Sequence, residues 1–97
     1  MRTRFTWDAR KAKQNERDHH ISFETAREVF SDPNQVVAEN YLVEDERRYQ
    51  IIGMTHHLVL LLVVFVDRSN PDIEVFQIIS ARKAVQYEKD IYAAQIG

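Results

Sequence analysis

Leu58–Val66 reads Leu-Val-Leu-Leu-Leu-Val-Val-Phe-Val, an unbroken apolar run rich in β-branched residues. Such a run suits a strand buried on both faces. A membrane helix needs roughly 20 apolar residues, about twice this length. A buried helix is the rival reading, but turn-forming sequence bounds the run closely. Met54-Thr55-His56-His57 precedes it and Asp67-Arg68-Ser69-Asn70-Pro71-Asp72 follows it. At about 3.3 Å per residue the strand spans roughly 30 Å, enough to cross a small domain.

The segments on either side share a different pattern. Arg47–Met54 alternates, with Tyr49 and Ile51 to one side and Arg48, Gln50 and Ile52 to the other. Ile73–Arg82 alternates likewise, which places Glu74, Phe76, Ile78, Ser80 and Arg82 on one side. Short connections join both to the apolar run, so the three form an antiparallel meander with 58–66 at its centre.

Upstream, Phe5-Thr6-Trp7 reads as a short edge strand. Asp8 is placed to cap a helix running to about Asp18. Ser22 caps a second helix, with Ile21 stapled onto Ala26 and an apolar stripe of Phe23, Ala26 and Phe30. Ser31-Asp32-Pro33-Asn34 stops that helix. Part of Gln35–Val43 is expected to be a strand, and Glu44-Asp45-Glu46 an acidic turn. Ala84–Ala94 closes the chain as a helix with Ala84, Tyr87, Ile91 and Ala94 on one stripe. The order β-α-α-β-β-β-β-α defines an α+β domain, helices packed on a twisted antiparallel sheet, expected to be a single domain over 1–97.

The chain has no cysteine, which excludes a disulfide framework, thiolate catalysis and zinc–sulfur sites. No signal peptide or spanning segment is evident, so a cytoplasmic location and no membrane partner are expected. The net charge of −2 hides a strong separation. Residues 1–20 carry +3, residues 21–46 carry −6 and residues 47–97 carry +1. Separated fields of this kind can offer a cationic face to phosphate and an anionic face to a basic partner, or can simply be solvated.

Few residues are placed to carry chemistry. The pairs His19-His20 and His56-His57 are poor chelators, because adjacent side chains point apart, and no metal site is expected. The glycines stand singly at Gly53 and Gly97, so there is no Gly-rich phosphate loop, and no nucleophile elbow occurs. What remains is Arg48, Arg68 and Arg82 at strand ends, His19 after the first helix, and a row of Arg10, Lys13 and Arg17 on that helix. On the residues alone this is a small α+β domain with an anionic-ligand face.

A set of motifs in order narrows the reading. Phe5-Thr6-Trp7-Asp8, Asn15-x-x-x-His19 and Ile21-Ser22-Phe23-Glu24-x-Ala26 resemble the opening of the BrnT toxin family. So do Arg48-Tyr49-x-x-Ile52-Gly53, Val64-x-x-x-Arg68 and Ile78-Ile79-Ser80-Ala81-Arg82-Lys83-Ala84-x-x-x-Glu88. The resemblance runs from about residue 5 to residue 92. It implies a RelE-like fold and an endoribonuclease toxin of a type II toxin–antitoxin system, inhibiting translation without a metal or other cofactor. The implied partner is a BrnA-like antitoxin whose ribbon-helix-helix region binds the operon DNA, so the toxin reaches DNA only indirectly.

RNA supplies its own nucleophile in the 2′-hydroxyl, so such an enzyme needs a base, an acid and cations. The resemblance then assigns His19 to proton transfer or phosphate orientation, and Arg48, Arg68 and Arg82 to the phosphate charge. Glu46 is the candidate base, and Arg10, Lys13, Arg17 and Lys83 the candidate RNA contacts. One departure bears on this. The family typically reads Lys-His-Gly where this chain has Asp18-His19-His20. The glycine would end the helix in a left-handed conformation, which His20 must adopt instead. Asp18 would repel a phosphate where the family offers a cation, unless Arg17 substitutes for it. That departure opens a second reading, a toxin relic that captures its antitoxin or RNA without cutting.

Overall fold

The apolar run becomes β4, the central member of a five-stranded sheet ordered β1-β5-β4-β3-β2. The computed structural model describes residues 2–96. In chain order its elements are β1 (Arg2–Thr6), α1 (Ala9–His19), α2 (Phe23–Ala26) with a 3-10 turn (Arg27–Ser31), β2 (Val36–Val43), β3 (Glu46–Met54), β4 (Leu60–Asp67), β5 (Ile73–Lys83) and α3 (Gln86–Ile96). β4 pairs antiparallel with β3 and with β5, and its residues Leu61 to Val66 are all buried. The meander read from the sequence is therefore present, in the expected element order.

Several details differ from the sequence reading. β4 starts at Leu60 rather than Leu58, because Leu58 sits in the preceding turn at φ 63° with 81% of its surface exposed. Its N–H donates to the Thr55 carbonyl (3.0 Å), and a left-handed residue cannot continue a strand. The edge strand begins before Phe5 and joins β5 in parallel, Phe5 opposite Phe76, which makes the sheet mixed. The second helix lasts only four residues before tightening into the 3-10 turn. Finally, the alternation of β5 breaks at a bulge, where Phe65 pairs with Ile78 but Val64 pairs with Ser80. The extra residue, Ile79, reverses the phase of everything after it. Ile78 and Ala81 thus share one face, while Ser80 and Arg82 lie on the other, not beside Phe76 and Ile78 as a regular strand would require.

The sheet separates two apolar layers. On one face Ile21, Phe23, Ala26 and Val29 pack against Ile51, Val63 and Ile78. Gly53 permits this close approach: a Cβ there would lie 2.7 Å from the Cβ of Val29, so any side chain would push the 3-10 turn off β3. On the other face α3 covers Ile52 and Leu62 through Tyr92. The expected α3 stripe is corrected here, since Tyr87 is 73% exposed and Ala84 precedes the helix, whereas Glu88 and Tyr92 face inward. Tyr92 donates its hydroxyl proton to Asp32 Oδ2 (2.6 Å), which also accepts from the Met54 N–H (2.7 Å). Burial, and then the Asp32 carboxylate, push the Tyr92 phenol up to about 12. Burial works against the Asp32 charge, but the hydrogen bonds from Tyr92, Asn34 and Met54 outweigh it and hold that carboxyl below its ordinary range.

The caps are those the sequence provides. Asp8 accepts from the N–H groups of Arg10 (2.9 Å) and Lys11 (3.0 Å) at the start of α1. The hydrogen bond from Lys11, opposed in part by desolvation, keeps its carboxyl below the ordinary value. His20 ends the helix at φ 59°, ψ 30°, its N–H donating to the Glu16 carbonyl at 2.9 Å. This is the left-handed cap that a glycine usually takes.

Asn15 joins α1 to the sheet. Its buried amide donates to the carbonyls of Ile21 (3.0 Å) and Ala81 (2.9 Å) and accepts from the Ala81 N–H (3.0 Å). Asn15→Ala strands these three buried groups, so urea denaturation should show a loss of about 3 kcal/mol. A loss within error of an exposed Lys13→Ala control would remove Asn15 from this role.

Candidate active site

α3 covers only one end of its face of the sheet. At the other end, side chains from three adjoining strands converge without a helix over them. Arg68, one residue past β4, is held by its own N–H donating to the Val75 carbonyl (2.8 Å). Its Nε donates to Gln77 Oε1 on β5 (2.8 Å), and its terminal nitrogen donates to Glu46 Oε2 on β3 (2.5 Å). Arg48 reaches the other oxygen of Glu46 at 3.6 Å, an ion pair too long to be a hydrogen bond. The Arg48 Nε is buried and has no hydrogen-bond partner among the described residues. Two guanidinium groups share one carboxylate here, so the cluster carries net positive charge. Arg48 is the more enclosed of the two, its side chain 22% exposed against 50% for Arg68.

A second group of candidates gathers around β5. β1 covers the outer edge of β5 only as far as Gln77, and α1 lies against the edge beyond it. There an open cavity of about 240 Å³ is lined by Lys11, Gln14, Asn15, Asp18 and His19 together with Ile79 and Ser80. Ser80 is the third residue after the arginine cluster's Gln77, and because of the bulge the two sit opposite Val64 and Val66 of β4, roughly 7 Å apart along a strand. His19 and Asp18 are both exposed.

The remaining candidates lie apart from both groups. Arg82, beyond the bulge, forks onto Glu88 at 2.9 and 2.8 Å, and Glu88 also accepts from the Val85 N–H (2.9 Å). Its guanidinium is thus committed to anchoring the start of α3. The Arg82 hydrogen bonds, against a smaller opposing effect of burial, hold the Glu88 carboxyl below its ordinary 4.5. Lys83 is exposed at the far end of β5, beside Lys89 and Leu60. Arg10, Lys13 and Arg17 are exposed on a stripe of α1 different from the one that meets His19. His56-His57 forms a turn, with the His56 N–H donating to Glu28 at 3.0 Å.

Sequence reasoning assigned no role to Gln77, Glu88 or Asn15. For Gln77 no local pattern marks it, since its part is set by the register of β5 against Arg68. Glu88 and Asn15 stood inside the quoted motifs, where Arg82 and His19 drew the functional reading.

A helix-backed sheet that gathers two arginines and a carboxylate at its open end defines an α+β domain with a cationic cluster on one face. Sequence comparison agrees: the family model described as ribonuclease toxin, BrnT, of type II toxin–antitoxin systems matches residues 7–88. The chain belongs to that family, and membership implies an antitoxin partner. The fold is similar to the 1.1 Å crystal structure of the Brucella abortus ribonuclease toxin BrnT, with a TM-score of 0.60 and 23% identity over 89% of this chain and 100% of that one. No curated protein sequence matches this chain.

The Arg82–Glu88 pair has a testable consequence for stability. A depressed carboxyl pKa contributes stability above its unfolded value and loses it as pH falls through the folded value. Arg82→Ala leaves a buried carboxylate unpaired and should cost roughly 2–3 kcal/mol at pH 7. As the pH falls through the lowered Glu88 pKa and the carboxylate takes up its proton, the gap should narrow to under ~1 kcal/mol. Urea titrations at pH 7 and stepwise into acid check this, and a gap that never narrows would show that Arg82 acts by some other contact.

Proposed function

We propose that this chain is a metal-independent endoribonuclease toxin, with the Glu46–Arg48–Arg68 cluster holding the scissile phosphate. The observation that carries the reading is the unpaired, buried Arg48 Nε beside a carboxylate that two guanidiniums share. In the reaction Glu46 accepts the 2′-hydroxyl proton as O2′ bonds to phosphorus. The bond to the 5′-oxygen breaks, and that oxygen takes a proton from His19. Arg48 and Arg68 stabilise the charge that grows on the equatorial phosphate oxygens between them. The products are a 2′,3′-cyclic phosphate and a free 5′-hydroxyl. Gln77 fixes Arg68 by its Nε, and so leaves the terminal nitrogens to face Glu46 and the ligand.

His19 belongs to this reading because its cavity is bounded on β5 by Ile79 and Ser80, the second and third residues after Gln77. Substrate strand lying across β5 would span both groups. Arg82 is moved from the chemistry to the scaffold, since Glu88 occupies its fork. Arg10, Lys13, Arg17 and Lys83 remain as outlying phosphate contacts of the RNA chain. The partner in this reading is a BrnA-like antitoxin, which links the toxin to operon DNA through its own ribbon-helix-helix region.

Asp18 favours the second reading, a chain that binds its antitoxin without turnover, because it places a carboxylate in the His19 cavity. The two are separated by incubating purified protein with naked and ribosome-bound RNA in EDTA. Cleavage is expected, with Arg48→Ala and Arg68→Ala each slower by roughly 10²-fold and His19→Ala by at least as much. A unit charge about 5 Å from the phosphate is worth roughly 3 kcal/mol at an effective dielectric near 20, before screening. Asp18→Lys should therefore raise the rate on the order of tenfold at low salt, and less at high salt. If neither protein cuts any RNA while both bind an antitoxin, the non-cleaving reading stands.

A further inference from the structure

We propose that the antitoxin is captured as an extended, basic strand along the free edge of β2. This rests on the antitoxin partnership just described and names where and how it forms. β2 is the outermost strand of the sheet, and its outer side has no pairing partner among the described residues. Long edges are ordinarily protected by proline, lysine or a bulge. β2 contains neither proline nor lysine, and its bulge, between Val37 and Glu39, leaves Glu39–Val43 in regular register with β3. The strand also exposes large apolar side chains: Val37 at 53%, Leu42 at 58% and Tyr41 at 37%.

What flanks the edge specifies the occupant. Val37 borders a groove of about 400 Å³ whose lining includes Phe5, Phe30, Phe65 and Phe76. An added strand would extend the sheet and direct every second side chain to that face, where an apolar residue fits the aromatic wall. The alternate residues would emerge on the side of Tyr41, whose register partner is Arg48. One strand therefore anchors in the groove and crowds the proposed phosphate site at once.

Charge selects among possible partners. No lysine or arginine occurs between Arg27 and Arg47, while Glu44 and Asp45 stand exposed at the β2–β3 turn. Glu46, by contrast, is occupied by the two arginines. This border repels RNA, and a second copy paired antiparallel would set the start of its own β2, Asn34-Gln35-Val36 with no cation, beside Glu44 and Asp45. A polypeptide carrying lysine or arginine at the end that meets Glu44 and Asp45 is the occupant that fits, and the complementarity would speed its association.

The test uses the purified toxin and the antitoxin encoded beside it. Leu42→Lys and Val37→Lys alter exposed side chains, and circular dichroism should confirm retained folds. Each should weaken the complex by about tenfold or more, whereas Leu58→Lys, at an exposed apolar residue away from β2, should leave it unchanged. Hydrogen exchange should show β2 amides slowed in the complex relative to the free toxin. Wild type that binds the antitoxin with β2 amides still fast, and with Leu42→Lys binding equally well, overturns the edge proposal and leaves the partnership standing. Wild type that does not bind the antitoxin removes the partnership itself. A free toxin that doubles in mass with slowed β2 amides gives the edge to a second copy and also overturns the proposal.

Discussion

The side-chain amide of Asn15 stands in for a missing strand. β1 runs beside β5 only to Gln77, so the outer edge of β5 would be bare from the bulge onward. Asn15 satisfies both backbone groups of Ala81 at that edge, and from the same nitrogen ties down the Ile21 carbonyl. One primary amide offers a donor pair and an acceptor in the planar geometry that a neighbouring peptide would present. Aspartate lacks the donors and leucine lacks everything, so the position tolerates little else. Through this contact α1 is fixed in height against β5, and the end of α1 carries His19. Ile21 and Phe23, which follow the helix, are then delivered to the core.

The strand bulge and the amide work together. Ile79 adds a residue to β5 and turns Ala81 toward α1 while sending Arg82 to α3. Without the bulge, the phase of β5 would aim Arg82 at the helical layer and deprive Glu88 of its partner. Here lies the main reason that sequence reading failed in its details. Alternation across Ile73–Arg82 is visible in the residues, but a bulge is decided by the partner strand, which no local pattern records. The same holds for α3. Its apolar residues suggested a stripe through Tyr87, whereas the burial of Asp32 below the helix favours a face that supplies the Tyr92 hydroxyl.

Much else was legible because its cause is local. The unbroken apolar run could satisfy itself only between two strands, and it lies there. Asp8 and Ser22 cap the helices they precede, since each offers a side-chain oxygen to the first free N–H groups. The left-handed cap at His20 was readable from the resemblance, because the family's glycine stands where this chain has His20. The candidate site was legible in part. Arg48, Arg68 and Glu46 are spread over more than twenty residues of sequence, yet the meander brings them together. Gln77 escaped notice because its contact with Arg68 exists only in register, and the Arg82–Glu88 pair was missed because an arginine looks the same in a motif whatever carboxylate meets it.

The fates of the arginines on this face follow from how many carboxylates the fold supplies to each. At the end beneath α3, one Arg82 meets one Glu88, both oxygens accept a hydrogen bond, and Glu88 is nearly enclosed. A pair so closed has no charge left to offer a ligand, and its effect is to orient a helix. At the open end, Arg48 and Arg68 divide one Glu46, the nearer takes the short hydrogen bond, and the farther is left with an unpaired buried Nε. That surplus is unfavourable in the free protein, and the phosphate of the proposed reaction would relieve it. The charge layout of the whole chain extends the same division. Basic residues of α1 lie toward the β5 edge and acidic residues of the β2–β3 turn lie at the opposite edge. An anion approaching the sheet is drawn toward α1 and the arginine cluster, and a cation toward the acidic turn.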